Sequence, residues 1–431
     1  MKNFTKTLLV LLLVLIIVPS IMAGGKSESK GEEKIVVTAM GYGDNSNQEG
    51  LAWKRIVDSF EKENPNIDIQ DELLYDEAYH QKVVARLASG DVPDLAYMGA
   101  DARWGAPWME ADQQYNLKSL IDTDHYDLAL IPEMGPNGEI YEIPLGTSNI
   151  TTVLFMNKNL VESLGFSQPK TYEDLVAMVP AAKAAGIDVV SIDGADGWAW
   201  GSCLMSSFIA RTSGDLMWVS KALAGENKFT DKAFVDALGL ISTMVSDGVI
   251  SKKSVLVDYG TNVSNFNNEK ALFMVQGQWA AGGVENPAVA DSMVLMAWPK
   301  MPGEKASAAG SVAAAWSVGY GLTKSGAEDP AVRDAGIKFI NYFYSQAEVT
   351  QRLRDGAIVA PVLKNFVVPD DLPNGVKQKV VLAQTASSSE VIDAFLTGAP
   401  NDALNAGMQK IASGQATAAE VAAEVEALAR K

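Results

Sequence analysis

The chain of 431 residues is 48% hydrophobic and carries 53 Asp and Glu against 35 Lys and Arg, a formal net charge of −18 at pH 7. So acidic a surface repels phosphate backbones and anionic lipid, which excludes nucleic acid and membrane surfaces as partners. One cysteine excludes an internal disulfide, and two histidines are too few for a standard zinc site or a convincing triad base, so neither metal nor cofactor is expected.

Lys2 and Lys6 precede an unbroken apolar run over residues 8–18, followed by Pro19, Ser20 and the small pair Ala23-Gly24. A basic head, a short apolar core and small residues describe a signal peptide, residues 1–23, cleaved after Ala23. Its core is too short to span a bilayer as a helix. No cysteine stands at the cut to carry an acyl anchor, so a released periplasmic or extracellular protein is expected. Residues 24–33, rich in Gly, Ser, Lys and Glu, read as a flexible leader. About 400 residues follow the signal, more than one core usually supports, which predicts two lobes.

The pattern from residue 34 is strand, loop, helix. Residues 34–39 form an apolar strand, 41–47 a turn-rich loop, and Trp53, Ile56, Val57 and Phe60 mark one face of a helix. Pro65 ends it, and Ile67 and Ile69 alternate in a second strand. Tyr79, Val83 and Leu87 recur at helical spacing up to Gly90, and residues 94–98 return as a strand. This alternation predicts an α/β lobe with a mainly parallel sheet and helices on both faces.

The rhythm restarts after Pro144, with strands at 152–156 and 187–191 around a helix that Thr171 caps and Glu173 and Asp174 open. A helix over 231–247 aligns Phe234, Leu238, Ile241 and Val245. Apolar runs follow at 271–275, 294–298 and 317–322, Pro330 starts a late helix, and Ala-rich helices close the chain. That is a second α/β lobe.

Five local patterns stand in order: Ala88-Ser89-Gly90-Asp91-Val92-Pro93-Asp94-Leu95; Gly138-Glu139-Ile140-Tyr141-Glu142-Ile143-Pro144; Leu154-Phe155-Met156-Asn157-Lys158 with Pro169-Lys170-Thr171-Tyr172; Lys270-Ala271-Leu272-Phe273-Met274-Val275-Gln276-Gly277-Gln278-Trp279-Ala280; and Gly319-Tyr320-Gly321-Leu322-Thr323-Lys324. Together with the export signal, this order resembles the family 1 extracellular solute-binding proteins, the group of the maltose-type carbohydrate receptors of ABC importers. It departs from the family's pattern at Gln278, where Asn or Ser is common, and at Met156, where Tyr is common.

The resemblance implies a periplasmic-binding-protein-like fold, two α/β lobes with mainly parallel sheets joined by a three-segment hinge. The chain would cross near Ser148, Trp316 and Val367, giving one lobe of 34–148 plus 316–367 and another of 149–315 plus 368–431. A ligand touching both lobes would favour the closed form, which the importer's membrane permease subunits would read. The family also implies a monomer that binds and does not catalyse.

Sugar recognition needs flat aromatics for the ring faces and carboxylates, amides or guanidinium for the hydroxyls. Of nine tryptophans, Trp53 and Trp218 fall on helices and read as core, whereas Trp104, Trp108, Trp198, Trp200, Trp279, Trp298 and Trp316 fall at loops or element ends. Trp279 matches the family position at which an indole stacks on sugar. Trp198 and Trp200 flank Ala199 in one loop, so that one touches ligand or both are core. Asp101, Arg103 and Trp104 follow a strand, and Asp101 with Arg103 forms either a hydroxyl-binding ion pair or a solvated one.

Tyr42 and Asp44 sit in the loop after the first strand, Asp44 as a hydroxyl acceptor or a helix cap. The Gly41-x-Gly43 pair there lacks the third glycine of a dinucleotide fingerprint. Ser148 and Asn149 flank the first crossing, where they reach ligand or bond locally. Gln278 and Trp316 neighbour a motif and a crossing. His80 and His125 read as surface residues, and Cys203 as a small buried hydrophobe.

No motif fixes two carboxylates on facing elements, and no nucleophile elbow is present, which argues against a secreted sugar hydrolase. An anion receptor would need a dedicated Arg or helix-terminal site. A neutral mono- or oligosaccharide suits acidic and aromatic loops, and a polyamine held in an aromatic and carboxylate cage is the alternative ligand.

Overall fold

The computed structural model describes residues 34–431 except 100–102, 135–136, 147–148, 316–317 and 357–360, and the expected signal segment and leader lie outside them. Twelve strands form among the described residues. In chain order they are β1 (Ile35–Tyr42), β2 (Ile67–Leu74), β3 (Leu95–Met98), β4 (Ile143–Pro144), β5 (Asn149–Ile150), β6 (Val153–Met156), β7 (Asp188–Ser191), β8 (Ala271–Gln276), β9 (Val294–Met296), β10 (Val312–Ala315), β11 (Gly319–Leu322) and β12 (Ser388–Ser389).

They sort into two α/β lobes and a small sheet at their junction. The first lobe is built on β2-β1-β3-β11-β4 and the second on β7-β8-β6-β9, while β12-β10-β5 lies between them in the chain's path. The chain thus leaves the first sheet between β4 and β5 and re-enters it between β10 and β11.

The sheets are mixed, which corrects the expectation of mainly parallel ones in detail. β1 pairs with β2 and β3 in parallel, as do β7 with β8 and β10 with β12. β11 instead runs antiparallel to β3 and β4, and β6 antiparallel to β8 and β9. The reason is connectivity. A helical crossover returns the chain to the same end of the sheet and gives parallel neighbours, whereas β6 and β11 arrive directly from the junction and enter from the opposite end.

Each lobe closes around its own apolar core. Helix Gln48–Glu63 buries Trp53, Ile56, Val57 and Phe60 against β1 and against Phe339 and Phe343 of helix Pro330–Phe343. In the second lobe, β6 is buried on both faces. Leu154 and Met156 enter the core with Trp200 and Phe208, while Val153 and Phe155 enter a separate cluster with Phe266 and Val312. Helix Asn374–Thr385 runs along the junction, since Val376 belongs to the first-lobe core and Leu382 to the cluster around β6.

Thr171 caps helix Tyr172–Ala185 as its sequence predicts. Its side chain accepts from the Asp174 amide, and the Asp174 carboxylate accepts from the Thr171 amide in return. Such a cap satisfies two of the helix's orphan donors. Thr171→Ala is expected to lower stability by about 1 kcal/mol, read as a lower midpoint in urea denaturation.

One buried charge, that of Arg211, is held through a single nitrogen, Nη2, while its Nε and Nη1 find no hydrogen-bond partner among the described residues. Arg211, on helix Ser206–Ser213, pairs with Glu304 and donates to the carbonyls of Trp298 and Pro299 at 3.0 Å each. Both side chains are nearly inaccessible, at 1% and 5% exposure.

Candidate functional site

The C-terminal ends of parallel strands in an open α/β sheet leave a crevice that collects binding residues. β1 ends in Tyr42, and β2 ends beside Tyr75 and Asp76. Tyr42 stacks on Tyr97 of β3 at 4.8 Å between ring centroids and 11° between planes, and meets Trp104 edge-on at 5.3 Å and 84°. Tyr75 lies 5.1 Å from Tyr42. Burial raises the phenols of Tyr42 and Tyr75 well above their usual range and pushes the Glu49 and Asp76 carboxyls upward. These first-lobe residues form one wall of a cavity of about 180 Å³.

The second lobe supplies the other wall. Trp198 and Trp279 stand 5.9 Å apart at 46°, with Tyr259, Gln278 and Asn149 beside them. Gln278 donates to the Asn149 side-chain oxygen at 3.3 Å. Trp279 lies in the 3₁₀ turn Gln278–Gly283 that follows β8, and its indole folds back over Gly277. A Cβ at position 277 would stand 2.1 Å from that ring, so only glycine leaves it room.

A polar network behind this wall fixes the turn. Asp193 accepts from Gln276 Nε2 at 2.8 Å and from Asn262 Nδ2 at 3.0 Å, and Gln276 Oε1 accepts from the Gly277 amide at 2.9 Å. Burial raises the Asp193 carboxyl from its ordinary 3.8 to about 7. Its folded value lies above its unfolded one, so the fold favours the protonated form. That contribution is fully present below the unfolded value and is lost as pH rises toward the folded value. Relative to Asp193→Asn, the parent should therefore lose stability between about pH 4 and pH 7. Urea midpoints of both proteins at the two ends of the window test this, and a constant difference would refute it.

Two cations complete the cavity. Arg103 of the first lobe reaches Asp393 of the second at 3.1 Å and Glu77 at 3.8 Å. Burial works against its charge, but those carboxylates outweigh it and raise its pKa. Lys379, 1% exposed, donates to the Gly356 carbonyl at 2.6 Å, and burial lowers its ammonium to about 8 while Glu49 pulls it back up.

Seven residues singled out in the sequence meet here: Tyr42, Arg103, Trp104, Asn149, Trp198, Gln278 and Trp279 line the same cavity. Asp44 does not line it. Its carboxylate accepts from the Ser46 amide and hydroxyl at 2.7 Å each, a local turn, while Asn47 caps the following helix. Trp200 is also elsewhere, fully buried with its indole N–H donated to the Gly194 carbonyl at 3.1 Å. The segment Trp198–Trp200 is helical, and residues two apart on a helix point to nearly opposite sides, so one indole faces the cavity and the other the core. Asp101, Ser148 and Trp316 lie outside the described residues.

The histidines differ from their surface assignment. His80 is half-buried with its ring 4.3 Å from Trp104, and His125 Nε2 lies 2.9 Å from the Tyr344 carbonyl oxygen. Cys203 is buried as expected. Sequence reasoning missed Glu49, Tyr75, Asp76, Tyr259, Lys379 and Asp393 as cavity residues. The strand-end rule that singled out Tyr42 would also have found Tyr75 and Asp76 at the end of β2. Nothing local marks Lys379 or Asp393, which come from the late Ala-rich region.

Among the described residues, no group of three or more His, Cys, Asp or Glu is placed to hold a metal, and no helix is long and apolar enough to cross a membrane. The family model of the bacterial extracellular solute-binding proteins matches residues 43–350. A multiple sugar-binding protein of Streptococcus mutans is 26% identical over 264 residues, 60% of this chain. The match spans 61% of that relative's own length.

Among solved structures, a chitin oligosaccharide binding protein superposes with a TM-score of 0.80 at 20% identity, covering 92% of this chain and 98% of that one. A maltose-bound protein of T. maritima gives 0.73 at 19% identity, with 92% and 99% covered. With two α/β lobes around a shared cavity and the family's pattern running through well over half its length, the chain belongs to the bacterial extracellular solute-binding proteins.

Proposed function

We propose that this protein captures a sugar between its two lobes and hands it to the membrane permease of an ABC importer without chemically converting it. One observation carries the reading: indoles and phenols from both lobes, Trp198 and Trp279 against Tyr42 and Trp104, line one cavity together with carboxylates and amides. Aromatic faces suit the C–H faces of a sugar ring, and Glu49, Asp76, Asn149 and Gln278 suit its hydroxyls. The cavity of about 180 Å³ has room for about six water molecules at roughly 30 Å³ each, which a small saccharide would displace. The similar proteins, a multiple sugar-binding protein, a chitin oligosaccharide binding protein and a maltose-bound protein, point the same way.

On this reading the lobes divide as 34–148 plus 316–367 and 149–315 plus 368–431, residues 1–23 direct export, and the protein acts as a monomer outside the cytoplasm. Ligand contacts in both lobes favour the closed form by their differential affinity for it.

A thermal-shift screen of sugars and polyamines tests the assignment. Binding to the folded state alone adds about 2.7 kcal/mol of stability at a hundredfold excess over Kd, so a sugar should raise the melting temperature with the logarithm of its concentration. After incubation that sugar should be recovered intact. A shift with polyamines and with no sugar would reassign the ligand, and hydrolysis of the sugar would make the protein an enzyme.

A further inference from the structure

Arg103 carries charge from one lobe directly to the other. It follows β3 beside Trp104, which packs against the first-lobe core, while Asp393 lies on the short helix Ile392–Phe395, whose Ile392 belongs to the second-lobe core. Arg103 Nη1 donates to Asp393 Oδ2 at 3.1 Å, and the two side chains are 26% and 8% exposed. A second cavity of about 780 Å³ opens beside them, between helix Glu77–Ser89 of the first lobe and helix Ala399–Ser413 of the second. Both residues line this space as well as the first cavity, so the pair joins the lobes as a partition between the two.

Arg103 also has an acidic neighbour in its own lobe. Glu77, 67% exposed, stands 3.8 Å from its Nη2, within ion-pair range but beyond hydrogen-bond reach. Burial works against the charge of Arg103, and of the groups that uphold it Asp393 acts most strongly, then Glu77, with Asp76 behind them. The lobe that carries Arg103 thus already holds the acids that would receive it when the lobes part. A buried guanidinium stranded without a counter-charge is costly. One with a solvated carboxylate alongside can change partners at small cost.

This arrangement sets the two carboxylates against each other. The contact with Asp393 exists only while the lobes are together, and taking away one member of a sheltered pair leaves the other short of compensation, so Asp393 favours the closed form. Glu77 can draw Arg103 to full hydrogen-bond distance only once Asp393 has withdrawn, and its own charge repels Asp393 on closure. Glu77 therefore favours the open form. A group shifts a two-state equilibrium only through such a difference between the states.

We propose that Arg103 is a partner-exchanging latch: on Asp393 it holds the lobes together before a ligand arrives and slows the ligand's escape afterwards, and on Glu77 it lets the lobes part. Its effect on retention rests on the capture reading above. The latch itself acts on the protein alone.

Spin labels at Val84→Cys and Asp402→Cys test it, since both exposed positions line the second cavity from opposite lobes and Cys203 is buried. Pulsed paramagnetic resonance then reads the populations of short and long distances without ligand. Asp393→Asn should raise the ratio of long to short at least about threefold, and Glu77→Gln should lower it. Adding Arg103→Gln to Asp393→Asn should change little more, because residues that act through one contact are not additive. With the sugar identified by thermal shift, stopped-flow release should be at least about twofold faster in Asp393→Asn and slower in Glu77→Gln. Unchanged distances, shifts of the same sign in the two variants, or additive losses in the double variant would overturn the latch. Shifted distances with an unchanged release rate would overturn its part in retention. Distances that shift as expected in a protein that binds no sugar would overturn the sugar reading and leave the latch standing.

Discussion

Trp279→Ala should weaken binding of the sugar identified by thermal shift by about 2 kcal/mol, or roughly thirtyfold in Kd, as expected for an aromatic hot spot in a desolvated site. The backbone beneath the indole is held by a buried network that runs from Asp193 through Gln276 to the Gly277 amide, and the ring lies folded over Gly277. A pre-positioned plane loses little side-chain entropy on contact, which is why its removal should register almost wholly as lost affinity. Trp279→Phe keeps a flat face and should retain most of the binding. Calorimetry on both variants decides the matter, and an alanine variant with parental affinity would remove Trp279 from the ligand's surroundings.

The largest effect on stability is expected at Glu304. Its removal leaves the Arg211 guanidinium buried without its counter-charge, and burial already lowers that group's pKa. Stranding one member of a buried pair costs about 3–5 kcal/mol, which chemical denaturation would report as a large fall in the second lobe's midpoint. The two backbone carbonyls that also accept from Arg211 should moderate this loss but not cancel it. Replacing both partners, Arg211→Met with Glu304→Leu, should recover most of the loss, because apolar groups of similar volume need no charge compensation. A loss below about 1 kcal/mol in the single variant would mean that water or a neighbour reaches the guanidinium.

Local patterning made much of this architecture legible. Helical spacing of Trp53, Ile56, Val57 and Phe60 gave the buried face of the first helix, and Thr171 with Asp174 gave a helix start, because these features depend only on neighbours in sequence. Gln278 and Trp279 were singled out through a motif that carries the family resemblance, and both line the cavity. Sheet polarity was not, since the direction in which β6 and β11 enter depends on where the chain crosses between lobes.

The same limit explains the incomplete site. Arg103 was singled out, but its partner Asp393 lies 290 residues away, and no short-range pattern connects them. Lys379 sits on a helix whose sequence reads as ordinary surface, and only tertiary packing makes it buried. Trp198 and Trp200 show the opposite case: two identical residues were left undivided by composition, while the helical turn between them settles which side each faces.

The fold of the Trp279 ring over Gly277 also constrains how this receptor can diverge. The backbone at 277 is ordinary, with φ −75° and ψ 163°, so any amino acid would be tolerated there on conformational grounds. Only the aromatic lying on top forbids one. Descendants of this gene can therefore retune taste through the amide at 278, which reaches Asn149, but a change one position earlier would evict the indole itself.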